Sequence, residues 1–216
     1  MAATAATRLA RNRTDRLAKV EKPSIAAKVA LALLEAIRSV DRPSEWIDEE
    51  VVSRTMPRRL GLSTVIERQI RLHEEYVREG RKLTLDELAE FLRLVNKRAD
   101  AAEVFLEMGS HLADSAGTAR ARLLPRRLRL FRVKRSVARA FPKLFGRRLG
   151  GFVSGPFTLE VSASPLVQID SSGTACQILT GFCQRALARG VGDDLEVTKS
   201  SCETWGDRCC RWAVKE

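Results

Sequence analysis

This chain lacks the short signatures by which common enzyme classes are recognised. It has no G-x-S-x-G elbow, no phosphate-binding glycine loop and no dinucleotide fingerprint, so no nucleotide cofactor is expected. Histidine is scarce: His73 and His111 are the only two, and neither belongs to an H-E-x-x-H pair. His111 has Glu107 and Asp114 at helical spacing, which reads as an ordinary ion pair on a helix surface. His73 has no such neighbour and reads as a core or rim residue with its hydrogen bond satisfied. No catalytic constellation emerges from these residues.

Long apolar runs are missing too. Val29 to Leu34, the longest in the N-terminal half, is far short of the roughly 20 residues that a membrane-spanning helix needs. No apolar secretory core precedes the five cysteines, an odd number with Cys209 and Cys210 adjacent, so free thiols or a metal are expected over a disulfide scaffold. The reading is a cytoplasmic chain, soluble or peripheral to a membrane. With 216 residues and 44% hydrophobic content it can bury one good core, and neither an internal repeat nor a low-complexity block asks for a second.

Acidic residues are absent where basic ones gather. Thr118 to Gly150 carries twelve arginines and lysines and no acid, and Met1 to Lys22 carries six against Asp15 and Glu21. The remainder is net −5, although the whole chain is +11. Residues 1–22 read as a flexible basic tail, with a transit peptide as the alternative. In the second segment Leu130, Val133, Val137, Phe141 and Leu144 form one apolar helix stripe, which Pro142 and Gly146 are expected to interrupt. Its basic faces are either solvated or meet an anion: a carboxylate-bearing ligand, acidic lipid or nucleic-acid phosphates. Arg126, Arg127, Arg135 and Arg139 are the candidate anion-binding residues. Nucleic acid ranks last, because the stripe suits a core better than an exposed stacking surface and no nucleic-acid motif accompanies it.

Residues 23–216 read as one domain that begins helical. Pro23 and Ser24 open a helix with Ile25, Val29, Leu33, Ala36 and Ile37 on one side, stopping by Pro43. Ser44 can cap a second helix containing Trp46, Ile47 and Val51. Ile66, Ile70 and Val77 follow helical spacing; Thr84 with Glu87 and Asp100 with Glu103 resemble capping boxes for two further helices. Strands are expected only late. Phe157, Leu159 and Val161 alternate, and Leu166 to Ile169 is a second β-prone run.

All five cysteines fall between Thr174 and Val214. Thr174 with Gln177 can cap a helix that ends near Gly190 and carries Cys176, Leu179, Cys183 and Ala186 on one face. Beyond it, Leu195 and Val197 alternate as in a strand, Trp205-Gly206-Asp207 makes a turn, and Cys210, Trp212 and Val214 alternate again. Gly206 is expected to serve the turn, since glycine takes positive φ without steric penalty. In a regular strand Cys209 faces away from Cys210. The fold class is therefore α+β: N-terminal helices, then a small mainly antiparallel sheet with the cysteine-bearing helix packed on it.

The string Cys202-x-x-x-Gly206-Asp207-x-x-Cys210, preceded by Cys176-x-x-x-x-Gly181-Phe182, resembles the 4-vinyl reductase domain. Leu60-Gly61-Leu62-Ser63, Gln69-Ile70, Arg98-Ala99-Asp100-Ala101 and Phe105 are similar to the region before that domain in its bacteriochlorophyll branch. The domain is also similar to the ligand-sensing part of aromatic-responsive bacterial activators and, more distantly, to small subunits of a vesicle-tethering complex. The resemblance implies a chain that binds a small hydrophobic or aromatic molecule, a tetrapyrrole intermediate first, as a carrier or sensor. A tetrapyrrole vinyl reductase or its accessory subunit, and a basic adaptor for anionic lipid or nucleic acid, are the alternatives. It also implies a homodimer, for which the Ile25 to Ile37 face offers a surface. Sensor members hold a structural zinc, which carries over to Cys176, Cys202 and Cys210 with Cys183 as the alternative helix ligand. The family's glutamate ligand falls on Lys199, leaving Glu196, Glu203 or the second helix cysteine as substitutes; without metal, the cysteines read as small buried apolar residues.

Overall fold

The computed structural model describes residues 25–41, 52–117, 124–153, 155, 157–192 and 195–214, with the backbone alone for 52–64. The basic tail, the Pro23–Ser24 helix start, the helix expected from Ser44 to Val51, and Arg120 and Arg122 lie outside these residues.

The architecture is α+β, with helices first and a four-stranded antiparallel sheet last. Ile25 does not begin a helix. Ile25–Ala26 is a short strand, β1, that pairs antiparallel with β2 (Lys82–Leu83), so strands occur early as well as late. β-Branched Ile25 faces Leu83, and the Ala27 amide donates to the Arg81 carbonyl, satisfying the backbone just ahead of the helix. Helix α1 (Ala27–Val40) then buries Val29, Leu33 and Ala36. Ile25, Val29, Leu33 and Ala36 are each 2% exposed or less, so the face expected to serve a dimer is already covered within the chain.

Helices α2 (Val52–Arg78), α3 (Leu85–Val95) and α4 (Ala101–Ser115) follow. Thr84 and Glu87 form the full reciprocal cap: the Thr84 hydroxyl accepts from the Glu87 amide, and the Glu87 carboxylate accepts from the Thr84 amide. Asp100 does not cap α4. Its carboxylate is taken by the Arg98 guanidinium, which also grips Asp41. An ion pair with a neighbouring arginine has outcompeted the local amide.

Helix α5 (Arg126–Phe145) runs straight through Pro142 and stops at Gly146, whose φ is +68°. The missing amide costs one hydrogen bond in the last turn, but Phe141, Leu144 and Phe145 on either side are buried and hold the turn in place. Leu166 to Ile169 is helical rather than extended. Ser164 accepts from the Leu166 amide and Pro165 occupies the first turn, a start signal that overrides β-propensity in α6 (Pro165–Ile169).

The sheet contains β3 (Gly151–Phe152), β4 (Thr158–Val161), β5 (Val197–Ser201) and β6 (Cys210–Val214), in the order β3-β4-β6-β5. Helix α7 (Gln177–Val191) packs against α4 and α5 on one side and touches β5 on the other. The Trp212 indole, fully buried, donates to the Thr180 hydroxyl and ties β6 to α7. Gly190 does not end this helix; Gly192 does, at φ +77°. Gly190 instead lets Val133 of α5 approach, since a Cβ there would fall on the Val133 side chain. One continuous core results, running from Ile25 to Trp212.

Candidate functional site

Three cysteines converge where the sheet meets the start of α7. β5 and β6 are out of step by one residue: Lys199 faces Trp212, yet Ser201 faces Arg211, so Ser200 is extra. This bulge restarts the alternation one residue late. Cys202 is thereby carried to the inner side with Cys210 and Trp212, all three fully buried. Cys176 arrives from a 3-10 turn (Thr174–Cys176) that leads into α7. The Sγ atoms of Cys176 and Cys202 are 3.8 Å apart, those of Cys202 and Cys210 3.6 Å, and all three lie within 4.8 Å of one another.

The surrounding groups hold this triangle in shape. The Asp207 carboxylate accepts from the Cys202 amide at 2.8 Å, which accounts for an aspartate after Gly206. Gly206 takes φ +90° at the end of a 3-10 turn (Glu203–Trp205), a conformation glycine adopts without strain. The Glu203 amide donates to Cys210 Sγ, and the Thr204 hydroxyl lies 3.1 Å from Cys202 Sγ. Lys199 reaches in as well, with Nζ 3.6 Å from Cys202 Sγ. Burial pushes the Cys176 thiol up strongly and the Cys210 thiol up to about 11. Burial acts on Cys202 in the same direction, but Thr204, Cys210 and the Lys199 ammonium outweigh it and hold that thiol below its ordinary value.

The other sulfurs stand apart. Cys183 is fully buried but lies outside the cluster, although its neighbour Gln184 meets β5 by accepting from the Val197 amide at 2.7 Å. Cys209 is half-buried and also outside. Glu203 is not a spare ligand either: its carboxylate accepts from the Ala163 and Ser164 amides, bracing Ala163 at an unfavourable φ of +51°. Among the described residues, no carboxylate, imidazole or further thiol joins the three sulfurs within 4.8 Å. The donor set thus fits a thiophilic metal through three cysteines, with no fourth protein donor of those kinds.

Neither Thr174 nor Gln177 caps the turn that carries Cys176. Buried Asp170 does so, accepting from Ala175 N at 2.7 Å, Ser172 N at 2.9 Å and Asn96 Nδ2 at 3.0 Å. An aspartate two residues before a serine, in Asp-Ser-Ser-Gly, is an Asx-turn signal that could have exposed this role. Burial alone would raise the Asp170 carboxyl, yet its bonds to Ser172, Ala175 and Asn96 hold it below the usual carboxylate range. A depressed folded pKa stabilises above the unfolded value of about 3.9, and that contribution disappears as pH falls through the folded value. Asp170→Asn is therefore expected to lower the urea midpoint at pH 7 and to shrink the further loss on going to about pH 3. Parallel losses in both proteins would show that Asp170 contributes nothing to acid sensitivity.

The basic segment builds a second feature. Val133, Val137, Phe141 and Leu144 are buried as the stripe implied. On the solvent side, Arg132, Arg135, Arg139 and Lys143 of α5, with Lys28 of α1, rim a groove of about 850 Å³. Its lining also includes Leu124, Leu128, Phe131 and Leu144. Of the four expected anion-binding residues, Arg135 and Arg139 are in this lining; Arg126 and Arg127, on the first turn of α5, are not. Lys28 could not be found from the basic run, because only packing of α1 on α5 brings it there. Arg129 turns inward and donates to the Val191 carbonyl.

The histidines take structural places. His73 is buried, with Nδ1 2.9 Å from the Gln69 carbonyl oxygen and its ring edge-on to Tyr76 and Phe91. His111 faces Glu107 at 3.4 Å and Glu35 at 3.8 Å, while Asp114 pairs with Arg185 and Arg189 instead. Among the described residues no helix is long and apolar enough to cross a membrane. No family model matches this chain, and no curated protein or solved structure matches it.

Proposed function

We propose that the groove along α5 binds an apolar molecule bearing carboxylates, and that the chain acts as its carrier or sensor. The groove carries this reading: five cationic side chains rim an apolar lining, and its volume of about 850 Å³ suits a ligand of some size. A tetrapyrrole, the class implied by the resemblance to the 4-vinyl reductase domain, has an apolar macrocycle and propionates that arginine pairs well. Alongside it, Cys176, Cys202 and Cys210 hold zinc as a structural tie between the β5–β6 hairpin and the start of α7.

Protoporphyrin and its dimethyl ester separate charge from apolar contact. Protoporphyrin is expected to bind with a shifted absorption band, and the ester about tenfold more weakly or worse. The triple variant Arg132→Glu, Arg135→Glu and Arg139→Glu should lose protoporphyrin binding at low salt while keeping its fold, because all three side chains are exposed. Raising salt from 0.1 M to 1 M, which shortens screening from about 10 Å to about 3 Å, should weaken the parent protein in the same direction. Unchanged affinity in the triple variant would reduce the groove to a solvated helix face.

A second reading has its own observation. Leu128 and Phe131 are 51% and 59% exposed amid these cations, an arrangement that suits the surface of an acidic membrane. Vesicles containing phosphatidylserine, in a sedimentation assay without porphyrin, distinguish the two: binding there that Phe131→Ser removes would favour lipid.

A further inference from the structure

The corner of the cysteine cluster at Lys199 is unlike the rest. Three acidic side chains of the surrounding turns are committed elsewhere: Glu203 to the Ala163 and Ser164 amides, Asp207 to the Cys202 amide, and Asp170 to the turn before Cys176. What enters the corner is an ammonium. Lys199 Nζ stands 3.6 Å from Cys202 Sγ and 3.3 Å from the Gly173 carbonyl oxygen, and 4.5 Å from the centroid of the Trp205 ring. Lys199 is half-buried and Trp205 is 59% exposed, so this corner of the cluster borders solvent.

We propose that Lys199 leaves the metal position at Cys176, Cys202 and Cys210 without a fourth protein ligand, so that a small thiol from solution completes it. The inference rests on the metal reading of the preceding section. Charge requires no protein carboxylate there. Three thiolates around a divalent ion total −1, which the Lys199 ammonium neutralises; a fourth thiolate would make the ion and its sulfurs −2, of which the adjacent ammonium offsets half. A glutamate at 199 would close the set with an anionic oxygen, whereas a lysine repels the metal and attracts an incoming thiolate to the same side. Zinc held by three protein ligands with an exchangeable fourth position is the arrangement of reactive sites, and a soft donor set favours a soft newcomer. The bond formed is a metal–sulfur bond, and the thiol proton leaves to solvent. No electrons change hands.

The test uses the full chain loaded with Co(II), whose visible ligand-field bands report the donor set, and 2-mercaptoethanol as the probe. The bands are expected to shift saturably with thiol in the parent protein. In Lys199→Glu the same shift should need about tenfold more thiol or vanish. Lys199→Met offers neither charge nor a carboxylate; it should keep a saturable response, at higher thiol, even where the glutamate variant folds poorly. Stoichiometric cobalt with bands that thiol does not move overturns the open corner while sparing the metal site. A parent protein that takes up no cobalt overturns both.

Discussion

Replacing Gly181 with alanine is expected to lower the stability of the chain by about 3 kcal/mol or more. Gly181 lies where α7 crosses α4, and a Cβ there would fall on the Leu106 carbonyl oxygen. Gly109 makes the matching approach from α4, where a Cβ would fall on the Ile178 carbonyl and within 2.6 Å of Phe182 N. Backbone cannot rotate out of the way as a side chain can, so the helices must part. Separation would loosen Phe105, Met108 and Phe182, all of them at the centre of the core. The effect runs against helix propensity, by which alanine would gain about 1 kcal/mol over glycine. Gly151→Ala serves as the control, because a Cβ there meets nothing within 4 Å and should shift stability by less than about 0.5 kcal/mol. Urea midpoints of the two variants decide the matter: equal values would mean that α4 and α7 do not cross as closely as described.

The second large effect concerns the cysteines. Protein purified without chelator is expected to carry close to one zinc per chain, and Cys202→Ser or Cys210→Ser should lose it. Cys183→Ser and Cys209→Ser should keep it, since those sulfurs lie outside the cluster. Where free zinc exceeds its Kd about a thousandfold, removing it should cost about 4 kcal/mol of stability, read as a fall in the denaturation midpoint on adding a chelator. A folded parent protein with only traces of zinc, indifferent to chelator, would sink the site. The cysteines would then be small apolar core residues.

Local signals were readable where both partners lie within one turn or one strand. Thr84 and Glu87 are three residues apart, and their reciprocal cap was legible for that reason. The alternation of Leu159 with Val161, and of Cys210 with Trp212, likewise reports a face directly. At Asp100 the competing partner, Arg98, was just as local, but propensity does not rank an ion pair against a cap. Leu166 to Ile169 was too short a window for period to decide, and the start signal at Ser164 and Pro165 lay outside it. Helical spacing put Cys176 and Cys183 on one face, so period could not say which of them joins Cys202 and Cys210, nor that Cys176 sits on the 3-10 turn ahead of α7. Lys28 joins the α5 cations only through tertiary packing, which no charge count along the chain reveals.

The offset between β5 and β6 bears on how this segment tolerates change. Ser200 is exposed, and its hydroxyl donates only to the Arg211 carbonyl, at 3.4 Å. Almost any side chain could stand there. The peptide unit can be spared as well, because without it Ser201 would still face Arg211 and Cys202 would still follow on the inner side; Cys202 turns outward only if Ser200 is kept and drawn into the ladder opposite Arg211. Position 200 is therefore free in identity and dispensable in length, provided that it stays out of the ladder when present, a kind of freedom that counting conserved letters would overlook.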